Sequence, residues 1–254
     1  MVTRVYPNSA DFENLSRLRT EISDEANLTD FSRVVVVKPW GYEYLWLQTA
    51  SVAIWMLHLR AEQATSLHCH ARKRTSLVVM SGEVLCSTIE DRHRLRAGEA
   101  VVLEPCVFHS TRALSPAGAV VMEVENPPLK GDLLRYRDDF GRAGRAYEKA
   151  HEHATDLAVF DYRPRSSFPV SQDAFRFHDV SLRLAGFRQA SELAASIPSH
   201  GLVIPCLGRL VFGREIVADT GEAIAAARLG SEPCPAAFPP VELLHILPLS
   251  PNNP

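Results

Sequence analysis

Two periodicities divide the chain. Between Ser9 and Ala26 apolar residues fall at Phe12, Leu15, Leu18 and Ile22, the three- and four-residue spacing that draws one stripe along a helix. From Val34 the pattern changes to short apolar and β-branched runs: "RVVVVKPWGYEYLWL", "VAIWMLHL", "TSLHCH", "TSLVVMSGEVLCSTI", "HRLRAGEAVVLEP" and "GAVVMEVEN". Turn residues punctuate them, among them Gly82, Gly98 and Pro116-Ala117-Gly118. Many short strands at regular spacing predict an antiparallel barrel or sandwich. Residues 127 to about 176 are polar, rich in Arg and Asp, and read as an excursion and linker. A second β-like region, Val180 to Leu229, echoes the first: "LVIPCLGRL" answers "LVVMSGEV", and "VADTGEAIAAARL" answers "LRAGEAVVLEP". The interval is 16 positions from Gly82 to Gly98 and 13 from Gly208 to Gly221, and the echo lacks any histidine pair. The expected organisation is a helical segment over 1–33, a barrel over 34–130, a linker over 131–176, and a second β region with a proline-rich tail over 177–254. The last residues are expected to lie extended on the surface.

Composition narrows the function classes. The 254 residues suffice for one large domain or two modest ones; 46% are hydrophobic and 22% charged, as in soluble globular proteins. A net charge of -3 gives no basic excess, which excludes the electrostatic footprint of a nucleic-acid binder. No run approaches a membrane span, and the opening residues lack a secretion signal's apolar core. Five scattered cysteines (Cys69, Cys86, Cys106, Cys206, Cys234), with no CxxC pair, suit a reducing compartment. The expectation is a cytoplasmic protein without nucleic-acid or membrane partners.

Chemistry concentrates in "TSLHCHARKRTSLVVMSG". Alternate side chains of a strand share a face, so His68 and His70 point one way and Cys69 the other. Two imidazoles so placed can reach one ion, and His109 is the best candidate for a third ligand. Neutral imidazoles suit Zn²⁺, Fe²⁺, Mn²⁺ or Ni²⁺, and the ligand set alone does not choose. Where an acid is expected after the histidines there are Lys73, Arg74 and Thr75; the two cations are candidates for gripping a small anion.

At this point the chain resembles the cupins. His68, His70, Thr75 and Gly82 fall on the positions of that family's first motif, with Thr75 in the glutamate slot. Gly98 to His109 matches the interval of the second motif, with its proline displaced to Pro105. Glu62 and Cys106 stand where the motifs have glycines, and Ala113 where the second closes on asparagine. Over about residues 37–142 the likeness sharpens toward the type II phosphomannose isomerases: "KPWGYEYLW" is similar to their RPWG opening, and "SLHCH" sits where they have SLQxH. "VMEVENPPLKGDLLRYRDDFGR" resembles their closing segment at Glu123, Asp132, Arg135, Asp138, Gly141 and Arg142.

The resemblance implies an all-β cupin barrel over that span; with the helical pattern before it and the echo after it, the expected fold adds an N-terminal helical segment and a second, degenerate cupin-like β region. It implies a divalent ion on His68, His70 and His109, Zn²⁺ first, and a metal-dependent enzyme isomerising an anionic sugar phosphate. Lys73, Arg74 and Arg135 are then the candidate substrate-binding cations, and Glu123, with Arg135 and Lys73, the candidate catalytic group as fourth ligand or base. Thr75 keeps two alternatives open: a three-histidine iron dioxygenase and a non-catalytic carbohydrate-binding cupin. A homodimer joined through strand edges is the expected assembly.

Overall fold

The computed structural model describes residues 1–18, 24–143, 153–154, 156–168, 173–212, 214–229, 236–237 and 240–249. The barrel is built from β1 (Val2–Val5), β2 (Val35–Lys38), β3 (Gly41–Gln48), β4 (Ala53–Leu59), β5 (Leu67–Cys69), β6 (Arg74–Ser81), β7 (Glu83–Thr88), β8 (Arg92–Arg96), β9 (Ala100–Leu103), β10 (His109–Ala113), β11 (Ala119–Asn126) and β12 (Leu134–Arg137). With β13 (His153–Ala154) they form an eight-stranded sheet, β1-β9-β6-β11-β4-β3-β2-β13, facing a five-stranded sheet, β12-β5-β10-β7-β8. The fold is all-β, a barrel of two facing sheets.

A second β region stacks on the outside of the larger sheet. Its strands are β14 (Phe175–Phe177), β15 (Val180–Phe187), β16 (Leu202–Leu207), β17 (Leu210–Phe212), β18 (Glu215–Ala218), β19 (Ile224–Ala225), β20 (Ala236–Ala237) and β21 (Val241–Pro248). They make a five-stranded sheet, β14-β15-β21-β16-β19, and a three-stranded one, β18-β17-β20. Gly82 carries the chain from β6 to β7 and Gly208 from β16 to β17, each crossing from one sheet to the next with the same φ of 75°, and Gly98 and Gly221 follow with 81° and 80°. The echo in sequence is thus an echo in backbone geometry.

Four sheets in layers explain the runs that do not alternate. On β4, Trp55, Leu57 and Leu59 enter the barrel core while Ile54 and Met56 pack outward against Val180, Leu182, Leu202 and Ile204 of the second region. On β11, Val121 faces inward and Met122 and Val124 outward. Strands covered on both faces read as continuous apolar sequence. A third core, including Phe187, Leu193, Val203, Leu210 and Leu243, lies between the two outer sheets.

The structure redraws several expected boundaries. The first residues form a barrel strand, β1, paired in parallel with β9, and the helix that follows, α1, spans only Ser9–Arg17. Its apolar stripe is incomplete: Phe12 is 52% exposed, Ile22 lies outside the described residues, and the buried position is Asp11. Asn8 caps α1 by accepting from the Asp11 amide, and Asp11 accepts in turn from the Phe108 amide, tying the helix to the turn before β10. The segment expected to leave the barrel at 131 begins instead with a barrel strand, β12. In the expected tail, Val241–Pro248 is an interior strand of its sheet, between β15 and β16; residues 250–254 lie outside the described residues. Cys69, Cys86, Cys106 and Cys206 are free thiols. No described helix is long and apolar enough to cross a membrane.

Candidate metal centre

His68 lies on β5, His70 just beyond it, and His109 opens β10 directly opposite His68 in the antiparallel register. One ring nitrogen from each lies within 4.8 Å of the others, and all three side chains are buried. Their other nitrogens are engaged. Each Nδ1 meets a backbone carbonyl: His68 that of Ser66 at 2.8 Å, His70 that of Asp132 at 2.6 Å, and His109 that of Val107 at 3.1 Å. A carbonyl only accepts, so each Nδ1 carries the proton and each Nε2 keeps its lone pair. Burial, then His109 and His70, holds His68 far below the usual imidazole range; burial and Lys73 do the same for His70; burial lowers His109. Three neutral imidazoles with converging lone pairs are a ligand set for a divalent ion. The buried Nε2 of His70 finds no hydrogen-bond partner, as expected of a ligand atom.

A carboxylate does stand beside them, on a different strand. Glu123 of β11 places Oε1 3.7 Å from His70 Nε2. Thr75, in the slot where the resemblance has a glutamate, is fully buried, and its hydroxyl has no partner. Directly across the β6–β11 ladder from Thr75 is Glu125, the next inward position after Glu123.

Around this centre runs a buried chain of charges. Lys73 Nζ donates to Glu125 at 2.6 Å, and Lys130 lies 3.7 Å from Glu125 and 2.9 Å from Glu43. Lys38 is 3.5 Å from Glu43, and Lys130 also sits 3.6 Å above the Trp55 ring. Burial alone would lower the Lys130 ammonium; Glu43, Glu125 and Glu123 outweigh it and hold the group charged. The cavity is small, about 50 Å³, and Arg135 and Arg142 also line it. Five cations against Glu43, Glu123 and Glu125 give the described wall an excess of positive charge, although Arg142 is engaged with Asp138 at 2.7 Å.

Of the residues singled out from sequence, His68, His70, Lys73, His109, Glu123 and Arg135 all line this cavity. Arg135 pairs with His68 across the β12–β5 ladder. Arg74 does not join them. Strand alternation turns it to the outer face of β6, where it donates to Glu104 at 3.0 Å and approaches Glu222 at 3.7 Å. Arg4 completes that cluster, 2.9 Å from Glu104 and 2.7 Å from Glu222 of the second region. Arg74 thus helps dock the second region and is corrected as a substrate-binding residue.

Sequence reasoning gave no role to Lys38, Glu43, Glu125, Lys130 or Asp132. Strand alternation puts Glu125 on the same face as Glu123, which the resemblance singles out. Asp132 has no local signal: fully buried, it accepts from the amides of Ala71, Arg72 and Lys73 and so folds the turn after the histidine pair. Two further positions hold the left-handed backbone that favours glycine. Glu62 and Cys106, which stand in glycine positions, have φ of 62° and 73°. The Cys106 amide donates to the His70 carbonyl at 2.7 Å, so this left-handed turn helps seat the histidine.

No family profile and no curated protein sequence matches the chain. Solved structures do. KdgF from a Halomonas species is similar over 40% of this chain and 90% of its own, at 20% identity and a TM-score of 0.35. A cupin-superfamily sugar phosphate isomerase from Silicibacter pomeroyi is similar over 37% and 69%, at 14% identity and 0.32. A cupin-2 domain protein from Shewanella frigidimarina is similar over 42% and 94%, at 18% and 0.31. At such identities and scores these likenesses bear on neither substrate nor reaction.

Proposed function

We propose that the chain is a divalent-metal-dependent enzyme that isomerises a small anionic carbohydrate, a sugar phosphate or a close relative, by moving a proton between adjacent carbons. The observation that carries the reading is the convergence of three neutral, carbonyl-oriented histidines with one carboxylate, Glu123, in a buried wall rich in cations. His68, His70 and His109 would hold the ion, with Zn²⁺ first and Fe²⁺, Mn²⁺ or Ni²⁺ compatible with the same donors. When bound, the ion supplies Lewis acidity toward a carbonyl oxygen. Glu123 holds and returns the proton at Oε1, the buried carboxylate oxygen nearest the histidines in this wall. Arg135, on the strand beside His68, takes the anionic group in bidentate fashion. Lys73 contributes its charge while donating to Glu125.

The test is deuterium incorporation from D₂O into a panel of hexose phosphates incubated with metal-replete protein. Exchange into at least one is expected, and Glu123→Gln should abolish it with metal content retained. No exchange with any member removes this reading. Oxygen uptake by the Fe²⁺-loaded protein would favour a three-histidine dioxygenase instead, for which the hydroxyl at Thr75 is the supporting observation.

A further inference from the structure

The outer face of the five-stranded barrel sheet carries a second, larger concavity of about 930 Å³. That volume lies at the upper end of the range in which sites enclose a small ligand, roughly 300–1,000 Å³. Its floor is low because alternate outward positions of β7 and β10 are the small hydroxyl residues Ser87 and Ser110. Three arginines from three strands reach it: Arg92 of β8, Arg112 of β10 and Arg137 of β12. All three are exposed, and none has an ion-pair partner among the described residues. Elsewhere on the same sheet Arg94 and Arg96 both engage Glu83. The open guanidiniums are therefore a property of this groove rather than of the strands. Glu90, Asp91 and Asp139 border it without an ion pair to them, Glu90 instead accepting from the Asn8 side chain at 2.7 Å, and Tyr136 presents a ring that is 39% exposed.

We propose that this groove is a binding site for an acidic oligosaccharide, separate from the metal cavity. Guanidiniums take carboxylates in bidentate geometry. The Ser87 hydroxyl and the two aspartates exchange hydrogen bonds with sugar hydroxyls, Ser110, whose hydroxyl donates to the Thr65 carbonyl at 2.7 Å, accepts one, and an amphipathic ring such as Tyr136 packs on a sugar face. A simple anion would need the arginines alone; the hydroxyl floor and the aromatic edge favour a polyhydroxylated one. The two cavities share a wall, Thr65 and Ser66, and the Ser66 carbonyl orients His68. An occupant of the groove thus lies against the backbone that positions a candidate metal ligand.

The experiment is calorimetric titration of the full chain with digalacturonate, with cellobiose as the neutral disaccharide and with inorganic phosphate. Digalacturonate should bind saturably, with cellobiose and phosphate at least tenfold weaker. The double variant Arg112→Ala/Arg137→Ala, both at exposed positions, should weaken digalacturonate about tenfold or more with metal content and melting temperature unchanged. His109→Ala, or chelator-treated wild type should that variant misfold, should bind it within twofold of the untreated protein. The proposal is overturned if digalacturonate does not bind at millimolar concentration, if the double variant binds as well, or if phosphate or cellobiose binds equally. Loss of binding on removing the metal or its ligand would assign the sugar to the inner cavity instead. Deuterium exchange on hexose phosphates is independent of each of these outcomes, so the site and the proposed reaction fail separately.

Discussion

Glu125→Leu tests whether the buried charges inside the barrel are mutually dependent. The Glu125 side chain is 1% exposed and accepts from Lys73 at 2.6 Å, with Lys130 at 3.7 Å. Lys130 keeps Glu43 at 2.9 Å after the substitution, whereas the 1%-exposed Lys73 loses the carboxylate that meets its ammonium. Stranding one buried charge costs about 3–5 kcal/mol, a large part of the roughly 5–15 kcal/mol that holds a domain together. At about 2–4 °C per kcal/mol for a chain of this size, the melting temperature should fall by roughly 6–20 °C. Adding Lys73→Met removes the stranded charge, so the double variant should recover most of the loss, with a coupling above about 2 kcal/mol in urea unfolding. A loss under about 1 kcal/mol for Glu125→Leu would refute the reasoning. So would a double variant as unstable as the single, because the cost would then lie in packing and not in charge.

Three further outcomes are expected. Glu62→Gly should stabilise the fold by about 0.5–1 kcal/mol, the left-handed cost of roughly 1–2 kcal/mol at φ 62° less glycine's extra unfolded entropy; a drop in melting temperature would show that the side chain outweighs its strain. Burial first, then His178 and Arg183 respectively, lowers His58 and His245 to about 4, below the unfolded value of about 6.5. Both are neutral when folded, so their stability contribution is full above about pH 6.5 and falls toward pH 4, by up to roughly 2–3 kcal/mol each; His245→Phe should flatten unfolding free energy against pH over that window. Arg74→Ala should cost about 1 kcal/mol or less, since its ion pairs are partly exposed, and should leave metal content and substrate affinity unchanged. A tenfold rise in KM would return Arg74 to the site.

The histidine cluster could be read from the chain because its members sit on short strands whose alternation and spacing are local. The Lys73–Arg74 pair shows the limit of that reading. Two adjacent cations look equivalent in sequence, yet the pleat sends Lys73 inward with Thr75 and Leu77, and Arg74 outward with Ser76. Lys130, and the role of Asp132, were hidden for a different reason. Both residues lie in a polar, proline-interrupted stretch with no period, and their partners are distant in sequence: Asp132 closes on the residue 71–73 turn about sixty positions earlier. The stacking of the second region was hidden as well. An all-apolar strand such as β4 declares that both faces are covered without saying by what. Only the assembled layers show that Met56 meets the second region and Trp55 the barrel core.

The same ladder geometry gives the residue at 75 a physical reason. An acid there would face Glu125 directly, with Cβ atoms about 4.5–5.5 Å apart across the strand pair. Both positions are buried, and two carboxylates so placed would repel each other and compete for Lys73. One carboxylate fits that cross-strand pair, and in this chain it is on β11, held by Lys73 and Lys130. The carboxylate left to face the histidines is Glu123, one inward step along the same strand. Threonine at 75, glutamate at 123 and the Lys73–Glu125 pair therefore form one arrangement. It places the acid beside the histidines on β11, and it commits the lysine beside the histidine pair to holding the neighbouring carboxylate in place.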